Sequence, residues 1–199
     1  MKYPKCLNAL IESLKELPGI GEKTAERLAF TMIDFKKDKL DAFSKAIIDI
    51  RNNIRRCSIC NNITDSDICY ICKDEGRNKD VICVVEDAKN VVLFEKNAIF
   101  DGKYHVLNGL ISPFNGIKPE DSNIIPLLKR VNDEKIKEVV IAVKPTLEGE
   151  ATSLYISKML EGHDIVVSKI AQGIPMGADI EYLDAMTLEN AMAERKKIS

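Results

Sequence analysis

Cys57-Ser58-Ile59-Cys60, Cys69-Tyr70-Ile71-Cys72 and Val81-Ile82-Cys83-Val84-Val85-Glu86 follow one another closely, and together they decide the fold. Two Cys-x2-Cys pairs stand eight residues apart. That is the spacing of two facing zinc knuckles: four thiolates close a tetrahedron and leave no open position for catalysis. Residues 57–80 are mostly polar and too few to bury a core of their own, so the metal would supply the folding energy. The N-terminus carries acidic residues where a secretory signal keeps an unbroken apolar run, so a reducing compartment is expected. Metal is favoured there over disulfides or a redox pair. The remaining cysteines, Cys6 and Cys83, fall in a helical and a strand pattern and are expected in cores.

Val81–Val85 is apolar without alternation, as in a strand buried on both faces, and Val139–Val143 repeats the pattern. Around them lie a helix at 87–96, a strand at 104–107, a helix at 123–131, a helix at 151–160 and a strand at 164–168. Pro126 is tolerable only in the first turn of its helix. This alternation predicts a mainly parallel sheet covered by helices. Glu86 follows the first strand, and Glu148 and Glu150 follow the strand ending at Val143. Carboxylates converging at strand ends could hold Mg2+. The arrangement resembles the Toprim domain of topoisomerases, primases and old-family nucleases. Catalytic members pair a Glu after the first strand with an Asp-x-Asp after a later one. Here those positions are Glu86, then Thr146 and Glu148, so a hard oxygen ligand is missing and any Mg2+ site is weakened.

Upstream, Leu7, Leu10, Ile11, Leu14 and Leu17 keep a 3.6-residue period until Pro18-Gly19-Ile20-Gly21 breaks the helix. A second helix starts near Glu22, with an apolar stripe of Ala25, Leu28, Ala29, Met32 and Ile33. Lys23 and Arg27 project opposite that stripe. Gly19 and Gly21 permit a turn whose backbone N–H groups point outward, and the helix dipole adds to them. The result is a cradle for one backbone phosphate, extended by Lys23 and Arg27. It resembles the helix-hairpin-helix motif of DNA-binding proteins. A third helix is read over 39–56, ending in Arg51, Arg55 and Arg56.

Of the 199 residues, 45% are hydrophobic and 30% charged, which excludes global disorder. No apolar run reaches the roughly eighteen residues of a membrane span. The net charge of −2 is unevenly spread: residues 1–56 carry 12 Lys/Arg against 8 Asp/Glu, and residues 57–199 carry 17 against 23. A polyanion site therefore belongs near the N-terminus, and the acidic body suits a basic protein partner.

The ordered set is highly specific: Leu17-Pro-Gly-Ile-Gly-Glu-Lys-Thr-Ala, the four cysteines, Gly109-Leu-Ile-Ser-Pro-Phe-Asn-Gly-Ile, Pro145-Thr-Leu-Glu-Gly-Glu-Ala-Thr and Ile170-Ala-Gln-Gly-Ile-Pro-Met-Gly. Over essentially the whole chain it resembles the RecR family of bacterial recombination mediators. Two departures stand out: Lys144 where the family usually has Asn, and Ala178 where a second Gly often follows Gly177. Lys144 places a positive charge beside Glu148.

The resemblance implies an α/β multidomain chain. Its parts are a helix-hairpin-helix DNA-binding domain (1–56), a four-cysteine zinc module (57–80), a Toprim domain with flanking helices (81–170) and a C-terminal oligomerisation segment (171–199). It implies a noncatalytic clamp, cytoplasmic and nucleoid-associated, that forms dimers and ring-like tetramers around single- or double-stranded DNA without sequence preference. With RecO, and in some settings RecF, such proteins load RecA onto strands coated by SSB. Cys57, Cys60, Cys69 and Cys72 are then the zinc ligands. Lys23 and Arg27 match DNA-contact positions, beside Gly19 and Gly21 of the cradle, and Glu86 and Glu148 match the surface linked to RecO. The C-terminal segment holds a Walker-B-like run, Ile180-Glu-Tyr-Leu-Asp184, but no Gly-x4-Gly-Lys-Ser/Thr loop, so nucleotide hydrolysis is not expected. Two competitors remain: a Mg2+-dependent Toprim nuclease or primase, disfavoured by Thr146, and a scaffold binding only protein, disfavoured by the Lys23/Arg27 face.

Overall fold

The structure, a computed structural model, describes residues 3–197. Two compact units part between Ile54 and Arg55. The N-terminal unit holds α1 (Lys5–Lys15), α2 (Glu22–Ile33) and α3 (Lys37–Asn53). Ile11, Ala25 and Ala29 form its small buried core, with Leu7, Leu10, Leu14 and Ile20 packed against it. Small residues on α2 let the two helices approach closely. Ile33, expected inside, is 60% exposed, and Cys6, also expected in a core, lies on the outer side of α1. The apolar face of α1 is complete without Cys6. α3 buries none of its residues.

The third helix ends at Asn53, earlier than its sequence pattern indicates. Arg55–Arg56 instead form a two-residue strand, β1, antiparallel to β2 (Ile63–Thr64). This ribbon opens the cysteine module, which continues through the four-residue helix α4 (Tyr70–Lys73).

The main sheet contains β3 (Asn78–Val85), β4 (Gly102–Val106), β5 (Glu138–Ala142) and β6 (Val166–Lys169). Its order is β4-β3-β5-β6 and every pairing is parallel. Three helices supply the crossovers: α5 (Ala88–Lys96), α6 (Ile124–Asp133) and α7 (Leu147–Met159). Period-2 alternation on β3 divides two cores. Ile82 and Val84 join Leu127 and Val131 of α6 and Ile156 of α7. Cys83 and Val85 point the other way, to Val91 of α5 and to Cys57, Cys60, Cys69 and Ile71 of the cysteine module. Cys83 is thus a core residue, as read, and burial pushes its thiol up to about 12.

α7 starts four residues before the expected 151 because Thr146 caps it, its Oγ1 accepting from the Gly149 N–H at 3.3 Å. The last strand begins at Val166, two residues later than its apolar pattern indicates. Pro126 sits in the first turn of α6, where no N–H is needed. The segment Ile180–Tyr182 is an exposed 3-10 turn, not a buried strand, and Asp184 caps the final helix, α8 (Ala185–Ala193), by accepting from the Thr187 N–H at 2.9 Å. The Walker-B-like run is therefore helix-capping chemistry.

His105 on β4 is 1% exposed, and its Nε2–H donates to the Asn123 carbonyl at 2.8 Å. Nδ1 has no partner, so a second proton there would be buried without an acceptor. Burial lowers the imidazole pKa to about 4. The unfolded chain therefore takes up this proton first, near the ordinary 6.5, and folding stability is lost as pH falls from there toward 4. At about 1.4 kcal/mol per pH unit, the loss attributable to this group is of order 3 kcal/mol. His105→Gln, which keeps a donor but does not titrate, should lose less stability across that window. Melting temperatures of both proteins measured from pH 7 to pH 4 check this.

Candidate functional site

The sequence-predicted residues fall in three places. In the N-terminal unit, Gly19 adopts φ +80°, a conformation in which a side chain is strained, and turns the chain from α1 into α2. The turn is closed by the Ile20 N–H donating to the Leu17 carbonyl at 3.1 Å. Gly21 is the N-cap of α2, and no side chain caps the first-turn amides. Those donors are open to an anion. Lys23 and Arg27, one turn apart, are exposed opposite the buried Ala25 and Ala29.

In the second unit the four cysteines converge. Their sulfurs all lie within 4.8 Å of one another, with Cys60 and Cys69 Sγ atoms 3.5 Å apart. A Zn–S tetrahedron with bonds of about 2.3 Å needs sulfurs about 3.8 Å apart, so the donor set fits Zn2+. Backbone amides stabilise thiolate character: the Cys69 N–H donates to Cys57 Sγ at 3.3 Å and the Cys72 N–H to Cys69 Sγ at 3.4 Å. Hydrogen bonds from Cys60, then Cys72, draw the Cys69 thiol down to about 2, while the contact with Cys69 pushes the Cys60 thiol up. Thiol ligands must deprotonate to bind a dication, so metal uptake by this set releases protons.

The third place is the carboxyl end of the sheet, between β3 and β5. Val85 pairs with Ala142, so the two strands end level. Glu86 and the Lys144–Glu148 turn therefore emerge side by side at the topological switch point. Gly149 makes this turn feasible: a Cβ there would sit 1.9 Å from the Lys144 carbonyl oxygen. Lys144, expected to neighbour Glu148, makes its direct contact with Glu86 instead, Nζ to Oε1 at 3.0 Å. Glu148 is held below the usual carboxylate range by its own backbone N–H, then by Thr146, with Lys144 adding a smaller share. Glu150 points away, bound to Gln172 and Lys169, both at 3.0 Å. Thr146, where catalytic Toprim domains carry an acid, spends its side chain on capping α7.

Known proteins align with these parts in order. The helix-hairpin-helix of RecR matches residues 7–51, the four-cysteine zinc finger domain of RecR 54–74, a Toprim domain 80–171 and the RecR C-terminal region 173–196. The "Recombination protein RecR" of Staphylococcus haemolyticus (strain JCSC1435) is 48% identical over 198 residues, covering 100% of both chains. The chain belongs to the RecR family. It has that family's DNA-binding helical motif, its four-cysteine zinc finger and a Toprim domain. No helix among the described residues is long and apolar enough to cross a membrane.

One surface escaped the sequence reading. Leu40, Phe43, Ile47, Ile50 and Ile54 are all exposed on or just after α3. Their spacing of 3, 4, 3 and 4 is the seam pattern of helices that pair with other helices. The same spacing is visible in the sequence; the charged residues between these positions obscure it.

Replacing Cys57 or Cys72 by Ser should lower bound zinc measured by atomic absorption. It should also destabilise the sheet-bearing unit, because Cys57 lies in its core and Cys72 packs against that core. A loss of even 3 kcal/mol lowers the melting temperature of a chain this size by roughly 6–12 °C. Calorimetry of the variants checks it; full stability without zinc would refute a structural metal.

Proposed function

We propose that the chain is a noncatalytic DNA-binding recombination mediator, a cytoplasmic clamp that assembles from several copies around DNA. With RecO and RecF it would help to load RecA onto SSB-coated single strands. The observation that carries this reading is the hairpin: uncapped first-turn amides beside exposed Lys23 and Arg27. Gly21 adds support. Its backbone is ordinary and extended (φ −83°), and a Cβ there would meet nothing within 4 Å. Folding alone does not demand glycine at that position, whereas a phosphate lying against the turn does.

Membership of the family supports the partners, and the exposed seam of α3 supports association of copies through the N-terminal unit. The switch-point chemistry supports a binding surface rather than a reaction centre. A carboxylate is missing at Thr146, and an ammonium already neutralises Glu86. On this reading Glu86 and Glu148 form part of an acidic docking surface for RecO.

Lys23 and Arg27 are exposed, so replacing both by Ala should change stability by no more than about 0.5 kcal/mol each. Each lost phosphate contact should reduce the slope of log K against log[salt] by about 0.7–0.9. In an assembly, every copy loses the same contacts, so most DNA affinity should go, equally for all sequences. DNA titrations at several salt concentrations test this. An unchanged affinity and slope would move the interface elsewhere, to Arg51, Arg55 and Arg56 among the candidates.

Glu148→Lys should weaken RecO binding, read by surface plasmon resonance, while zinc content and melting temperature stay unchanged. If the unmodified protein showed a Mg2+-dependent nuclease or primase activity that this variant lacked, the enzyme reading would replace the docking one.

A further inference from the structure

Lys103 lies on the edge strand β4 and is only 6% exposed. Its ammonium reaches the cysteine module, donating to the carbonyls of Ile71 at 2.7 Å and Cys72 at 3.3 Å, and to that of Asp74. These three bonds use all three of its protons. Every acceptor is a neutral carbonyl at the end of α4, and no carboxylate pairs with Lys103 within 4.0 Å among the described residues. The acids nearby are otherwise engaged or exposed. Asp74 faces Arg77, Glu134 binds Arg130, and Glu75 is in solvent.

A buried ammonium without an anion is costly. The anionic group these bonds connect it to is the cysteine cluster. Four thiolates around Zn2+ leave a net negative charge of two, and Cys72, whose carbonyl Lys103 holds, is one of the four. Arg130, 7% exposed, lines the same cavity as Cys72 and Lys103, with its guanidinium on the Tyr104 carbonyl at 2.6 Å. It adds a second positive group on that side of the cluster.

We propose that Lys103 is the counter-charge of the zinc centre, a positioning residue that sets how firmly the metal is held while tying α4 to the sheet edge. The inference rests on the zinc assignment. A purely structural role as a carbonyl cap is the competing explanation, and two variants separate them. Lys103→Gln keeps a donor for the carbonyls without charge, and Lys103→Met keeps neither.

The test is zinc transfer from the full-length protein to a chromogenic chelator at neutral pH. The thiolate-to-metal charge-transfer band of the Co2+-loaded form verifies that all four sulfurs still bind. Both variants are expected to release zinc about ten-fold faster or more, the usual scale for losing a group that supports metal ligands. Release from Lys103→Gln at the unmodified rate overturns the proposal, whatever Lys103→Met does. If the variants do not fold at stoichiometric zinc, they are refolded in excess zinc and their release rates are compared after the excess is removed; failure to recover overturns the proposal. Unmodified protein purified without stoichiometric zinc would instead refute the zinc assignment itself.

Discussion

β4 is an edge strand, and the cysteine module seals it. At one end the Val106 N–H donates to the Cys60 carbonyl at 2.8 Å, and the Asn61 side chain returns a bond to the Val106 carbonyl at 3.0 Å. At the other end Lys103 binds the carbonyls that close α4. Between them Tyr104 packs edge-on against Phe94 and Phe100 and shares a core with Cys57, Cys60 and Cys69. An open edge would invite pairing with another chain. Here the metal-binding loop occupies it, so zinc, edge protection and half of the sheet's core depend on one another. The module is small because it borrows its core from β3 and β4.

That anchoring leaves β6 as the opposite, uncovered edge strand and leaves the carboxyl ends of the strands open. The level ends of β3 and β5 bring Glu86 beside the turn that starts at Lys144. A catalytic site would need several hard oxygens converging on a cation. This chain has instead a tethered ammonium on Glu86 and a threonine committed to a helix cap. What remains is a fixed pattern of charges, suited to recognition by a partner that brings its own positive groups. Surface ion pairs of this kind contribute little to stability. Their value lies in orientation and in selecting the partner.

Much of this is legible in sequence because the signals are local. Cys-x2-Cys pairs, uninterrupted apolar strands and a Gly-containing helix break each follow from spacing alone, and Lys23 and Arg27 fall outside the stripe by the 100° rule. The failures are tertiary. Cys6 lies next to an apolar stripe that closes without it. Arg55 and Arg56 read as helix, but the cysteine module recruits them into a ribbon, where Arg56 reaches Asn108 Oδ1 at 2.9 Å. The start of α7 reads late because the capping role of Thr146 competes with its reading as a lost metal ligand. Lys103 gives no signal: a lysine in a strand pattern reads as exposed, and only the folded position of α4 supplies its partners.

The segment of residues 1–56 is net positive and carries the hairpin, whereas the remainder is net negative. A single hairpin offers one anion cradle and two cations, which is weak for a polyanion and is opposed by the acidic body. Association of copies changes this. The 3-4-3-4 apolar seam of α3 lies in the same unit as Lys23 and Arg27, so the proposed pairing through it would gather several hairpins. Each further hairpin then binds at a high effective concentration, and weak contacts multiply. The net negative charge of residues 57–199 repels phosphates, so the attraction to DNA falls to the cations of the N-terminal segment. On the proposed assembly, a nearly neutral chain would bind DNA through several hairpins at once, a multivalency that one copy lacks.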